Sequence, residues 1–133
     1  FIILADLLFE KKLFDYIYLI CGPDKSHISK KIINNSGKNY FIDCSHKDLQ
    51  GIILAIKSSD FYVGNNSGPL NMSAALGIKT FGLIANDPVS ELKFSKINPI
   101  TPKDYTDNIW NRDRSGMKKL KPNEVFEKII EKL

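Results

Sequence analysis

An α/β fold built on a parallel sheet is what this sequence predicts, and three observations carry the expectation. Four short runs rich in β-branched and aromatic residues recur at 16–21, 40–42, 61–63 and 80–84, each separated from the next by enough chain for a helix. The runs are continuously apolar rather than alternating, as strands are when helices cover both sides of them. Between them, apolar residues recur at helical spacing, most clearly Leu49, Ile52, Ile53 and Ile56 at i, i+3, i+4 and i+7. Together these describe a Rossmann-like parallel sheet with helices on both faces. At 133 residues the chain is one ordinary domain, expected to span 1–133.

Residues 1–9 are helical in pattern, but Asp6 interrupts them and Glu10, Lys11 and Lys12 follow, far short of the roughly 20 apolar residues a spanning helix needs. No membrane-spanning segment is expected. The chain opens on Phe1 with no cap before the helix, which suggests that an upstream portion is absent. The first run ends in Cys21 and the turn Gly22-Pro23-Asp24. A helix is expected over 24–35, with Ile28, Ile32 and Ile33 as its stripe and Asn34-Asn35-Ser36-Gly37 as its terminator. The four apolar positions from Leu49 to Ile56 should lie against the sheet. After the third run, Pro69 opens a helix kept slim by Ala74, Ala75 and Gly77, and Lys79-Thr80 leads directly into the fourth.

From 86 to 121 the rhythm fails. Pro88, Pro99 and Pro102 punctuate it, and 101–116 is polar around the solitary Trp110, so a long irregular connection is expected. Pro122 and Glu124 then open a last helix whose face is Val125, Phe126, Ile129, Ile130 and Leu133.

Composition narrows the function. Hydrophobic residues make 43% and charged residues 26%, a balance that excludes a disordered or disulfide-dense chain. The net charge of +4 suits an anionic partner, yet over 103–133 eight basic residues interleave with six acidic ones, so no nucleic-acid stripe forms and no nucleic-acid partner is expected. Cys21 and Cys44 each follow an apolar run and read as buried, reduced thiols, which favours a cytoplasmic setting. His27 and His46 lack a second ligand at useful spacing and read as surface or capping residues. No metal site is expected.

The chemistry concentrates at Gly64-Asn65-Asn66-Ser67-Gly68-Pro69. This loop ends a strand at the sheet's carboxyl edge and opens a helix, where unpaired N–H groups and the positive dipole end favour an anion. Two glycines let a phosphate reach the main chain. The competing explanation is plain capping by Asn66 or Ser67. Asp24, beside Gly22 at the end of another strand, has the same two readings, ribose ligand or N-cap, and so does Asn86 at the end of the fourth run.

The string GNNSGPLNMSAALGIKTFGLIANDP resembles the donor-binding signature of glycosyltransferase family nine, the heptosyltransferases of lipopolysaccharide assembly, in which Asp-Ser-Gly-Pro-x-His precedes an Ala-rich helix. Tyr18-Leu19-Ile20-Cys21-Gly22-Pro23-Asp24 resembles the family's strand and Gly-rich turn, and Gly116-Met117 with Pro122-Asn123-Glu124-Val125 its closing helix. The resemblance covers nearly the whole chain and implies the C-terminal half of a GT-B architecture, without the N-terminal acceptor domain. It implies inverting transfer from a nucleotide-sugar donor, with no metal or bound cofactor, to a glycolipid or glycan acceptor engaged by the absent half, at the inner face of a membrane with peripheral association. The general base would also belong to that half, so no catalytic residue is assigned here. The donor-site residues it implies are Asn65, Asn66, Ser67, Gly68, Pro69, Leu70 and Asn71, with Gly22, Asp24 and Asn86 beside them. Asn66 stands where the family usually has Asp, and Asn71 where it often has His; neither amide supplies a charge. A non-catalytic α/β interaction module is the alternative. A nicotinamide-binding domain lacks its G-x-G-x-x-G after any predicted strand.

Overall fold

A computed structural model describes residues 1–92, 94, 96–107 and 115–133. The fold is α/β, with parallel strands joined by helices, and its contacts divide the chain into two compact units, Phe1–Ser58 and Ser59–Leu133.

In the first unit, α1 (Ile2–Glu10) buries Leu4, Ala5 and Leu8. Strand β1 (Ile17–Leu19) pairs in parallel with β2 (Phe41–Asp43), Ile17 facing Phe41. Ala5, Tyr40 and Phe41 form a core against which Phe14, Ile17, Leu19, Ile32 and Ile33 pack. The Tyr40 hydroxyl donates to Asp6 at 2.6 Å, which gives the acid in the middle of α1 a partner. Helix α2 (Ser26–Ser36) ends where the terminator predicts, on Gly37 at φ 60°. Its buried position is Ser29, while Ile28 is 43% exposed, so the face turns slightly from the predicted stripe. Helix α3 (Leu49–Lys57) is capped by Asp48, whose carboxylate accepts the Gly51 N–H at 2.8 Å. Ala55 and Ile56 are its buried residues, whereas Leu49, at its first turn, is 61% exposed.

In the second unit, β3 (Phe61–Asn65), β4 (Lys79–Leu83) and β5 (Ile97–Ile100) form a parallel sheet in that order. Helix α4 (Gly68–Ala75) crosses between β3 and β4, and α5 (Pro122–Ile130) closes the chain, burying Val125, Phe126 and Ile129. Every residue from Thr80 to Ala85 is buried, as expected of a middle strand covered on both sides. On one side Leu70, Ala74, Ile84 and Ile97 form a core with Tyr62, Val89 and Leu92 packed on it. The buried hydroxyls of Ser73 and Thr80, 2.9 Å apart, join α4 to β4. Phe81, fully buried, stands in an edge-to-face contact with Phe61.

Strand β5 corrects the expectation of an irregular connection over 86–121. Its Ile-Asn-Pro-Ile sequence carries Pro99, which argues against a strand when read alone. Placement at the end of the three-strand order accommodates a residue with no N–H. Ile97 and Ile100 are 4% and 2% exposed, and the Asn98 side chain donates to the Thr80 carbonyl, so β5 is a full member of the sheet.

Candidate functional site

The loop after β3 is short because α4 begins at Gly68, with Ser67 as N-cap and Pro69 in the first turn. Ser67 is an excellent capping residue by type, yet its side chain makes no capping hydrogen bond. It stands near the side chain of Tyr62, whose pKa is pushed up by burial and drawn partly back by the Ser67 hydroxyl. The Tyr62 ring lies over Gly64 of β3, since a Cβ added there would sit 2.7 Å from its hydroxyl. The first intrahelical bond runs from Asn71 N–H to Ser67 O at 3.2 Å. Gly68 and Leu70 therefore precede any intrahelical acceptor, and Pro69 has no N–H to offer. Of the two, Gly68 is exposed and Leu70 is fully buried, so the Gly68 amide is the donor that an anion would find.

The predicted donor residues take distinct roles. Asn65, Asn66 and Gly68 are exposed, while Ser67, Pro69 and Asn71 are half-buried. Leu70 is fully buried in the core beside Ala74, Ile84 and Ile97, so neither its side chain nor its amide is open to a ligand. Asn71 Nδ2 donates to Ser67 O at 3.0 Å. Asn66 Nδ2 donates to Asp87 Oδ2 at 3.3 Å, which ties the exit of β3 to that of β4. Asn86 Oδ1 accepts the Gly116 N–H at 3.1 Å. Gly22 and Asp24 belong to the other compact unit, where both are exposed. Asp24 lies within a 3-10 turn, Pro23–Lys25, rather than at the N-cap of α2, and its carboxylate folds back over Gly22.

Residues outside the predicted set complete the arrangement at the exit of β4. Tyr105 OH accepts the Val89 N–H at 2.7 Å and lies 2.9 Å from Asp87 O. Asp107 Oδ1 accepts the N–H groups of Val89 and Ser90 and faces the Tyr105 hydroxyl at 3.0 Å. Burial, then the Asp107 carboxylate, pushes the Tyr105 pKa up; hydrogen bonds led by the Ser90 side chain hold Asp107 below its ordinary value. Tyr105 is thus a loop anchor, and Trp110, the solitary tryptophan of this stretch, lies outside the described residues. Gly116 is required by space alone, since an added Cβ would meet Ala85 O at 2.1 Å. Gly116→Ala is expected to cost about 1–3 kcal/mol in denaturant unfolding and to break the Asn86 contact.

At the end of β2, burial would push the Asp43 carboxyl up, but hydrogen bonds from Ser45 and Ser29 and the nearby His46 outweigh it and hold the group below 3.8. A depressed native pKa stabilises the folded state above the unfolded value, and that contribution is lost as pH falls through the native one. Asp43→Asn should therefore lower stability at neutral pH and flatten the acid limb, read as urea midpoints of the first unit between about pH 2 and pH 7.

Both cysteines are free; Cys44 is buried and Cys21 half-buried, and both histidines are exposed. Among the described residues no group of His, Cys, Asp and Glu could hold a metal ion, and no helix is long and apolar enough to cross a membrane. Compared with protein-family models, with curated proteins and with solved structures, the chain finds no match in any of the three. Fold and loop geometry define its class: an α/β protein with parallel strands and an uncapped helix N-terminus at the carboxyl edge of β3.

Proposed function

We propose that this chain is the donor-binding portion of an inverting, metal-independent glycosyltransferase similar to the heptosyltransferases of glycosyltransferase family nine. Its donor is a nucleotide-activated sugar. The acceptor, a glycolipid or glycan, is met by a further domain at the cytoplasmic face of a membrane. One observation carries the proposal: Ser67, the N-cap of α4, makes no capping bond, and the exposed Gly68 amide that follows has no side chain over it. Such amides stabilise the charge that develops on a departing nucleoside diphosphate, by about 0.3–1 kcal/mol at an exposed helix end and more where water is excluded. The position of the loop at the carboxyl end of a parallel strand, where ligands of open α/β sheets gather, supports the same assignment.

Calorimetric titration of the folded chain with ADP, UDP and GDP tests it. Saturable binding of one of the three is expected; no heat from any of them at millimolar ligand would overturn the proposal. A second reading, a non-catalytic interaction module, is favoured by the engagement of Asn66 with Asp87 and of Asn71 with Ser67, because both amides are satisfied within the chain. That reading expects the silent titration.

A further inference from the structure

Three loops meet beyond the carboxyl end of β4. The segment that follows the strand, Ala85 to Ser90, is held by Asn66 from the β3–α4 loop, by the amide of Gly116, and by Tyr105 with Asp107. Tyr105 is the one side chain in that set that bonds the main chain on both sides of Pro88, with Asp87 O at 2.9 Å and Val89 N at 2.7 Å. Asp87 thus has its main chain fixed by Tyr105, while its carboxylate accepts the Asn66 amide. A continuous path of hydrogen bonds runs from Tyr105 through Asp87 to the middle of the candidate donor loop.

We infer that Tyr105 is a positioning residue for the β3–α4 loop, setting the orientation of Asn66 through Asp87. The inference deepens the donor-binding assignment and rests on it for its consequence in ligand affinity, but the coupling itself is a property of the free protein. Tyr105 sits 39 residues beyond Asn66, and its hydroxyl bonds Val89, Asp87 and Asp107 rather than the loop, so its effect is transmitted. The hydroxyl has one proton, shared between Asp87 O and Asp107 Oδ1, whereas the bond it accepts from Val89 persists with either partner. Tyr105→Phe removes donor and acceptor together while keeping the ring.

Two measurements test this. In the free protein, the side-chain amide signals of Asn66 are followed by NMR in wild type, Tyr105→Phe and Asp87→Ala, with the β4 amides of Gly82 and Leu83 as the check that the sheet is intact. The expected result is that Tyr105→Phe moves the Asn66 signals in the direction that Asp87→Ala does. Unmoved Asn66 signals would overturn the inference. Val89→Pro supplies an independent variant if Tyr105→Phe does not fold. Pro88 has φ −62° and ψ 137°, a conformation that accepts a following proline, and the change deletes the N–H that Tyr105 receives.

The second measurement is a cycle on nucleoside diphosphate affinity, using whichever of ADP, UDP and GDP binds. Tyr105→Phe and Asn66→Ala should each weaken binding by about threefold or more, and the double variant should be no weaker than Asn66→Ala alone. Additive losses would show that Tyr105 acts by another route and would contradict the inference. Should wild type bind none of the three nucleotides, the donor-binding assignment fails, and the amide signals alone decide the coupling.

Discussion

Phe81→Ala is expected to destabilise the unit Ser59–Leu133 by about 3–5 kcal/mol, the range for removing a large aromatic side chain from a closed core. Phe81 is fully buried in the middle strand of a three-strand sheet, in edge-to-face contact with Phe61. The neighbouring strands are held by the parallel ladder, which limits how far they can collapse into the space left behind. Against a total of about 5–15 kcal/mol for an ordinary domain, such a loss is a large share. Guanidinium unfolding should show a lower midpoint with an unchanged slope, the mark of lost stability rather than of altered compactness. A loss of under about 1 kcal/mol would mean that the site repacks freely, contrary to the close burial of Phe81.

The second large effect falls on binding rather than stability. Gly68→Val is expected to weaken nucleoside diphosphate affinity by at least about tenfold, or about 1.4 kcal/mol, while leaving the fold intact. A Cβ added at Gly68 would meet only the Met72 methyl, at 3.7 Å, an ordinary contact. The backbone has no left-handed angle there to punish a side chain. The protein therefore accommodates the change, and what it obstructs is the space outside the amide, where a phosphate would approach. Gly64→Ala is a poorer probe, because its Cβ would displace the Tyr62 ring and confound packing with binding. A titration of Gly68→Val indistinguishable from that of wild type would place the nucleotide elsewhere.

Much of the fold was legible because burial imposes period and composition. The runs that became β1 to β4 are continuous and apolar, and the Asn-rich stretch before Gly37 announced the end of α2. β5 was hidden because position in the sheet, rather than local preference, permits Pro99. The face of α3 held at Ile52, Ile53 and Ile56 and differed at one predicted position, Leu49. A helical stripe shows which residues share a side, but Leu49, in the first turn next to the Asp48 cap, stays exposed while Ala55 is buried. At the site, the strand-loop-helix geometry around Ser67 followed from Gly68 and Pro69 alone. The missing capping bond of Ser67 did not, because a capping residue has the same identity whether it caps or not. Nor did the contacts of Asp87 with Asn66 and Tyr105, which join residues far apart in a stretch with no periodicity.

The central claim is that the first turn of α4 receives a diphosphate at the Gly68 amide. The measurement closest to it is the backbone amide spectrum of the folded chain, followed at Gly68 during addition of ADP, UDP or GDP. Saturable downfield movement of that proton is predicted, as an anion replaces water at an exposed donor that has no intrahelical partner. Binding that shifts other amides and leaves Gly68 unmoved would contradict the account.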